Sequence, residues 1–210
     1  LVRKVRSRLH LKSLVAFATR FGSWGPIPAH SDMDREQGFL PHRLVMGVLV
    51  SQQEMIPLVK ERLIERYGPI LDSTEPKPFT YTDYYDDEMG GKPLRFYLSF
   101  APLIDPSRLS VIKRETNALE AEFAQDGGRR VNLDPGLLGQ ANLVLATTKN
   151  RAHRIPLSEG IYAELTLMYA NKQFKSFPWT YADYTSEEVK LLFASWREQY
   201  RRQLKQEGLL

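Results

Sequence analysis

Apolar and polar positions along the chain fall into two rhythms. Leu44 to Val50 is an unbroken apolar run with β-branched members, the pattern of a strand buried on both faces within a sheet. Ile56, Val59 and Leu63 then recur at helical spacing, and Gly68-Pro69 stops them, so a helix is predicted to end near Tyr67. Its start has two readings. Ser51 and Glu54 stand at capping-box spacing, whereas Pro57 near the first helical position would make that box accidental. Arg95 to Phe100 alternates, with Phe96, Leu98 and Phe100 inward and Arg95, Tyr97 and Ser99 outward, which predicts a strand with one buried side. Asp105-Pro106 supplies an N-cap and a first-turn proline for a helix whose stripe, Leu109, Ile112, Thr116, Leu119 and Phe123, ends at Gly127.

Strand periods then return. Val131 and Leu133 alternate with Asn132 and Asp134, and Pro135-Gly136 is expected to break that strand, leaving Asp134 at its end. Leu143 to Ala146 reads as another buried strand. Ile161, Ala163, Leu165 and Leu167 line one side of a further strand, with Tyr162, Glu164 and Thr166 on the other. A last helix is predicted from a Thr185/Glu188 capping box, carrying Val189, Leu192, Phe193, Trp196 and Tyr200 inward. The order strand, helix, strand, strand, helix, strand predicts an α+β fold. It is a mainly antiparallel sheet with helices mostly on one face, a ferredoxin-like core plus an added hairpin and a C-terminal helix.

The net charge of +4 does not belong to this patterned region. Residues 1–32 hold six Lys and Arg against Asp32 alone, leaving the remainder close to neutral, so the charge gives no specific support for nucleic-acid binding. Residues 1–40 are expected to be a poorly ordered basic extension and linker, with Val2, Val5 and Leu9 on one side of a short amphipathic helix, and 41–210 a single domain. The initial Leu, with Met33 just before the pattern starts, suggests an over-extended reading frame or a trimmed leader. No Cys is present, which excludes disulfides, thiolate metal sites and a Cys nucleophile and permits a reducing compartment; a cytoplasmic location is the expectation. No apolar run approaches the roughly 20 residues of a membrane-spanning helix. Oligomeric state is not legible in these residues.

A motif occurs twice. Pro78-Phe79-Thr80-Tyr81-Thr82-Asp83-Tyr84 matches Pro178-Trp179-Thr180-Tyr181-Ala182-Asp183-Tyr184, and RLVMGVLV and NLVLATTK precede the copies at a nearly equal separation, which hints at two related halves. An Asp between tyrosines can fix a turn by accepting hydrogen bonds, the expected role of Asp183. Asp83, Asp86, Asp87 and Glu88 crowd negative charge into six residues, either a solvated turn or a seat for a hard cation such as Mg²⁺.

The densest chemistry lies between Arg129 and Glu164. Arg130, Asn132 and Asp134 share one face of their strand, either as part of a ligand site or as an Arg130–Asp134 pair that locks the turn. Lys149 and Arg154 suit a phosphate or carboxylate. His153, with an ordinary pKa of roughly 6.5, is the natural proton carrier. Glu164 in mid-strand needs Arg130, His153, Arg154 or a metal beside it if its face is covered. Two functions are compatible with this set. One is a site for a small anionic ligand, phosphorylated or carboxylated, a nucleotide among the options and Mg²⁺ a candidate cofactor. In an enzyme of that kind His153 would be the acid or base and Asp134 and Glu164 the carboxylates handling a metal or proton; Arg130, Asn132, Lys149, Arg154 and Asp83 would bind the ligand. The other is a non-catalytic binding or assembly protein in which the same residues form a structural ion-pair network.

The series TDYYDDEMG, RRVNLDPGLL, LVLATTKNRAHRI and GIYAELTLMY, closing with PWTYADY, resembles the prokaryotic domain-of-unknown-function family 4416 over about Arg43 to Leu204. The resemblance implies no mechanism. A GTP-binding label on some family members has no counterpart in these residues, since Gly90-Gly91-Lys92 lacks the upstream Gly and the following Ser or Thr of a P-loop, and no Asn-Lys-x-Asp signature occurs.

Overall fold

The computed structural model describes residues 38–125 and 127–210, of which 39–210 form one compact unit. The predicted amphipathic N-terminal segment lies outside the described residues. The strands are β1 (His42–Val50), β2 (Ile70–Ser73), β3 (Lys77–Pro78), β4 (Leu94–Ile104), β5 (Val131–Leu138), β6 (Asn142–Thr147), β7 (Arg154–Pro156), β8 (Tyr162–Ala170) and β9 (Gln173–Ser176). The helices are α1 (Ile56–Tyr67), the single turn α2 (Asp86–Met89), α3 (Leu109–Glu122) and α4 (Glu187–Gln206).

All nine strands of the described residues join one antiparallel sheet in the order β2-β4-β1-β5-β6-β8-β7, with β3 on β4 and β9 on β8. Its first four strands, connected β1-α1-β2-β4-α3-β5, have the ferredoxin-like arrangement, and β6 to β9 extend it. No helix of the described residues is long and apolar enough to cross a membrane.

Leu44, Met46, Val48 and Val50 of β1 face α1 and α3, meeting Val59, Leu63, Ile112 and Leu119. The opposite face carries Val45, Leu143, Leu145 and Leu167 against Val189, Phe193 and Trp196 of α4. Two of the three long helices thus share a face, and α4 covers the other. The cover corrects the one-sided reading of β4: Arg95, Tyr97 and Ser99 are buried too. A polar residue on a strand's second face signals water only while no later helix packs there.

Local starts are also resolved. Pro57 sits in the first turn of α1 after a short 3₁₀ turn, so the Ser51 box is accidental, and the Ser51 hydroxyl donates instead to Met55 Sδ. The α4 cap is Ser186, whose Oγ accepts from the Val189 amide at 3.3 Å, one residue beyond the predicted Thr185. In β8 a bulge between Leu165 and Leu167 returns Leu167 to the face on which Glu164 stands, so the simple alternation fails there.

The sheet splits where β5 was expected to end. β5 runs through Pro135 and Gly136 and pairs with β1 along its whole length, but with β6 only from Gly136↔Leu145 to Leu138↔Leu143. The Leu133 amide and carbonyl hydrogen-bond to Glu120 and Lys113 of α3, so they point away from β1. Two residues on, Pro135 points the same way and has no N–H to offer Ala146. Proline therefore ends the β5–β6 ladder without ending the strand, and β6 diverges towards Thr147 in the company of β8.

Gly47 in mid-β1 meets a different need. A Cβ there would lie 2.6 Å from Arg95 Nη2 and 2.7 Å from the Tyr184 hydroxyl. Gly47→Ala is expected to destabilise the fold by about 1–3 kcal/mol, because both groups are held on rigid elements. Urea unfolding checks this; an unchanged midpoint would show that the guanidinium can shift at no cost.

Candidate functional site

The split between β5 and β6 opens a cavity of about 590 Å³ on the α4 face. Asn132 and Asp134 form one wall, and Leu145 to Lys149 the other. Lys113, Asn117 and Glu120, at i, i+4 and i+7 of α3, reach it from beneath the gap. Lys113 and Glu120 replace the missing strand: Nζ donates to the Leu133 carbonyl at 2.7 Å and Oε1 accepts from the Leu133 amide at 2.7 Å. Burial pushes the Glu120 carboxyl up from its ordinary value against the opposing pull of Lys113.

Both motif copies close over this cavity. Phe79, Tyr81, Thr82 and Tyr84 come from the first and Tyr181 to Tyr184 from the second. Each copy follows a short strand, β3 or β9, and leads into a helix, α2 or α4. The likeness stops there: α1 lies between β1 and the first copy, whereas strands β7 to β9 lie between β6 and the second, so the chain is not built of two equivalent halves.

A single buried guanidinium ties the copies to the sheet. Arg95 is 8% exposed and lies over Gly47, with Nη1 3.1 Å from Asp134 Oδ2 and Nη2 2.9 Å from Asp183 Oδ2. The rings of Tyr97, Tyr184 and Phe79 surround it at 4.9, 5.5 and 5.8 Å. Asp183 also accepts from the Tyr97 hydroxyl at 2.8 Å. Burial alone would raise the Asp134 carboxyl, but the charges of Arg95 and Lys113 and hydrogen bonds from Arg95 and Asn132 hold it below its ordinary value. The chain of contacts continues from Asp134 to Asn132 Nδ2 at 3.1 Å, and from Asn132 Oδ1 to Arg129 Nη1 at 3.1 Å. Arg129 then grips Glu88 with two bonds of 2.7 and 2.8 Å, which depresses that carboxyl.

Glu164 lines the cavity, 1% exposed, and is neutralised from behind. Its Oε2 meets Arg154 Nε at 2.7 Å and His153 Nε2 at 3.0 Å. Arg154 is fixed further by the Lys149 carbonyl and the Tyr181 hydroxyl, and His153 stacks on Trp179 with ring centroids 4.9 Å apart.

The model of DUF4416, a domain of unknown function, matches residues 40–200. The chain belongs to the DUF4416 family. No curated protein and no solved structure matches it.

In this DUF4416 chain the cavity gathers Asn132, Asp134, Lys149 and Glu164 of the residues singled out by sequence. His153 and Arg154 stand behind Glu164 as its partners and do not line the cavity. Arg130 is outside the lining as well; its neighbour Arg129 takes the expected position beside Asn132, and Asp134 pairs with Arg95. Asp83 is exposed, away from the lining. Its acidic neighbours face separate cations, Asp86 with Lys92 and Glu88 with Arg129. Among the described residues no three His, Asp or Glu side chains group closely enough to hold a metal ion. Arg95, Lys113, Asn117 and Glu120 were missed, and Arg129 was placed in the dense stretch without a role. The signals were a charged residue in an apolar strand and the polar i, i+4, i+7 stripe of α3.

Asp134→Asn is expected to cost about 1–3 kcal/mol at neutral pH, through loss of charge-assisted hydrogen bonds. The native carboxyl is depressed relative to its unfolded value of about 3.9, so its stabilisation is present above that value and lost as pH falls through the lower folded pKa. Denaturant unfolding of both proteins across the acid range should show the gap narrowing below about pH 4. A gap independent of pH would mean the cost is one of packing.

Proposed function

We propose that this DUF4416 protein binds a small phosphorylated or carboxylated organic molecule in the cleft between β5 and β6. The anionic group sits at Lys149, and the carbon skeleton lies against the tyrosines of the two motif copies. The observation that carries the reading is the distribution of charge around the cavity. Arg95, Lys113 and Arg129 are each within ion-pair distance of a carboxylate. Lys149 has no carboxylate partner among the described residues, and its ammonium stands 4.8 Å from the Tyr84 ring centre. An incoming anion therefore finds one cation to pair with and need not break an existing pair to do so. The cavity is also of the size and mixed character of small-molecule sites. Nucleotides fall within this ligand class, and the role of Glu164 and His153 in it is to hold the wall.

The structural-network reading draws on the same contacts, since Glu88, Arg129, Asn132, Asp134, Arg95 and Asp183 form one continuous chain that fastens both motif copies. The two readings assign different residues: the network forms the walls, and Lys149 with the open tyrosines receives the ligand.

The test is a thermal-shift screen of the full chain against organic phosphates and carboxylates, followed by calorimetric titration on wild type and Lys149→Ala. A ligand at one hundred times its Kd stabilises by about 2.7 kcal/mol. Lys149→Ala should keep the wild-type melting temperature without ligand and bind at least about tenfold more weakly. Stabilisation by none of these compounds would leave the network reading standing alone.

A further inference from the structure

The proposed anion site has a second end whose polar atoms define the rest of the ligand. Resting on the reading above, we infer that this ligand is a sugar or polyol carrying a single anionic group, its hydroxyls directed to Asp134, Glu120 and Asn117.

Asp134 uses only Oδ2 for its bonds to Arg95 and Asn132, leaving Oδ1 without a partner among the described residues. Glu120 uses Oε1 for the Leu133 amide, and its Oε2 has only Arg129 at 4.0 Å. These are acceptors, so they require donors from the ligand. The Asn117 side chain, half-buried on the same helix face as Glu120, has no hydrogen-bond partner among the described residues and can both donate and accept.

Charge decides what kind of donor fits. A ligand ammonium placed here would share the cavity with Arg95, Lys113 and Arg129, the cations that already neutralise these carboxylates. A second anionic group would face Asp134 and Glu120. A neutral hydroxyl meets neither repulsion and satisfies the free lone pairs. The tyrosines complete the match, since Tyr81 and Tyr84, exposed residues of the cavity lining, offer ring carbon to the C–H side of a sugar while its hydroxyl edge points to the polar floor. One anion at Lys149, neutral donors at the floor and an apolar flank between them describe a sugar or polyol monophosphate or monocarboxylate.

The test is calorimetric titration of the full chain with hexose, pentose and glycerol monophosphates. Propyl phosphate, an amino-sugar phosphate and inorganic phosphate serve as controls. At least one sugar or polyol monophosphate should bind about tenfold or more tightly than propyl phosphate and than its amino counterpart. Asn117→Ala, which removes no internal bond, should weaken the sugar phosphate about tenfold and leave propyl phosphate unchanged. Lys149→Ala should weaken both. Equal binding of propyl phosphate and the sugar phosphates, tighter binding of the amino counterpart, or indifference to Asn117→Ala would overturn the hydroxyl assignment while the anion site stands. Absence of binding by every organic anion, or binding unaffected by Lys149→Ala, would remove the anion site and this inference with it.

Discussion

The Arg95 guanidinium is the group on which the arrangement of this molecule depends. A buried cation is costly unless its charge is met, and here Asp134 on β5 and Asp183 in the turn before α4, far apart in the chain, bring their carboxylates to Nη1 and Nη2. Meeting that need brings the second motif copy down onto β4 and β5. It also fixes the start of α4, which follows directly, and with it the burial of Phe193 and Trp196 on the sheet's second face. The guanidinium fits only because Gly47 leaves the space above β1 empty. A glycine that would ordinarily weaken a central strand serves here as the seat of the main electrostatic contact.

The cavity has an equally local origin. Pro135 withholds one N–H from the β6 side, and the ladder between β5 and β6 stops at the next residue. Exposed strand groups in a buried place require partners, which Lys113 and Glu120 supply from α3. The split is therefore closed by side chains on the helix face and left open on the α4 face, where tyrosines from both motif copies roof it. Ion pairing holds most of the surrounding charge in place. The Lys149 ammonium, the Asn117 side chain and Asp134 Oδ1 have no ion-pair or hydrogen-bond partner of their own among the described residues, which is the observation behind the proposed binding site.

Periodicity along the chain determined the α+β class, the central position of β1, the apolar stripes of α1, α3 and α4, and the concentration of chemistry between Arg129 and Glu164. These properties depend on neighbours a few residues apart, so local order reports them. Local order also separated Asp183 as a structural residue and offered Arg130, His153, Arg154 or a metal as partners for Glu164, of which the fold supplies His153 and Arg154. Other features belonged to tertiary structure alone. Arg95 looked like a solvent-facing strand residue because nothing nearby announces that α4 will cover it, and Pro135 looked like a strand end because proline's effect depends on which neighbouring strand its nitrogen faces. Arg129 displaced Arg130 for a similar reason: which of two adjacent arginines enters a site is set by where the strand begins its pairing. The sequence could supply the residue types of a site, but the pairing of one charge with another across some forty or ninety residues is a property of the folded chain, decided by which groups burial forces together.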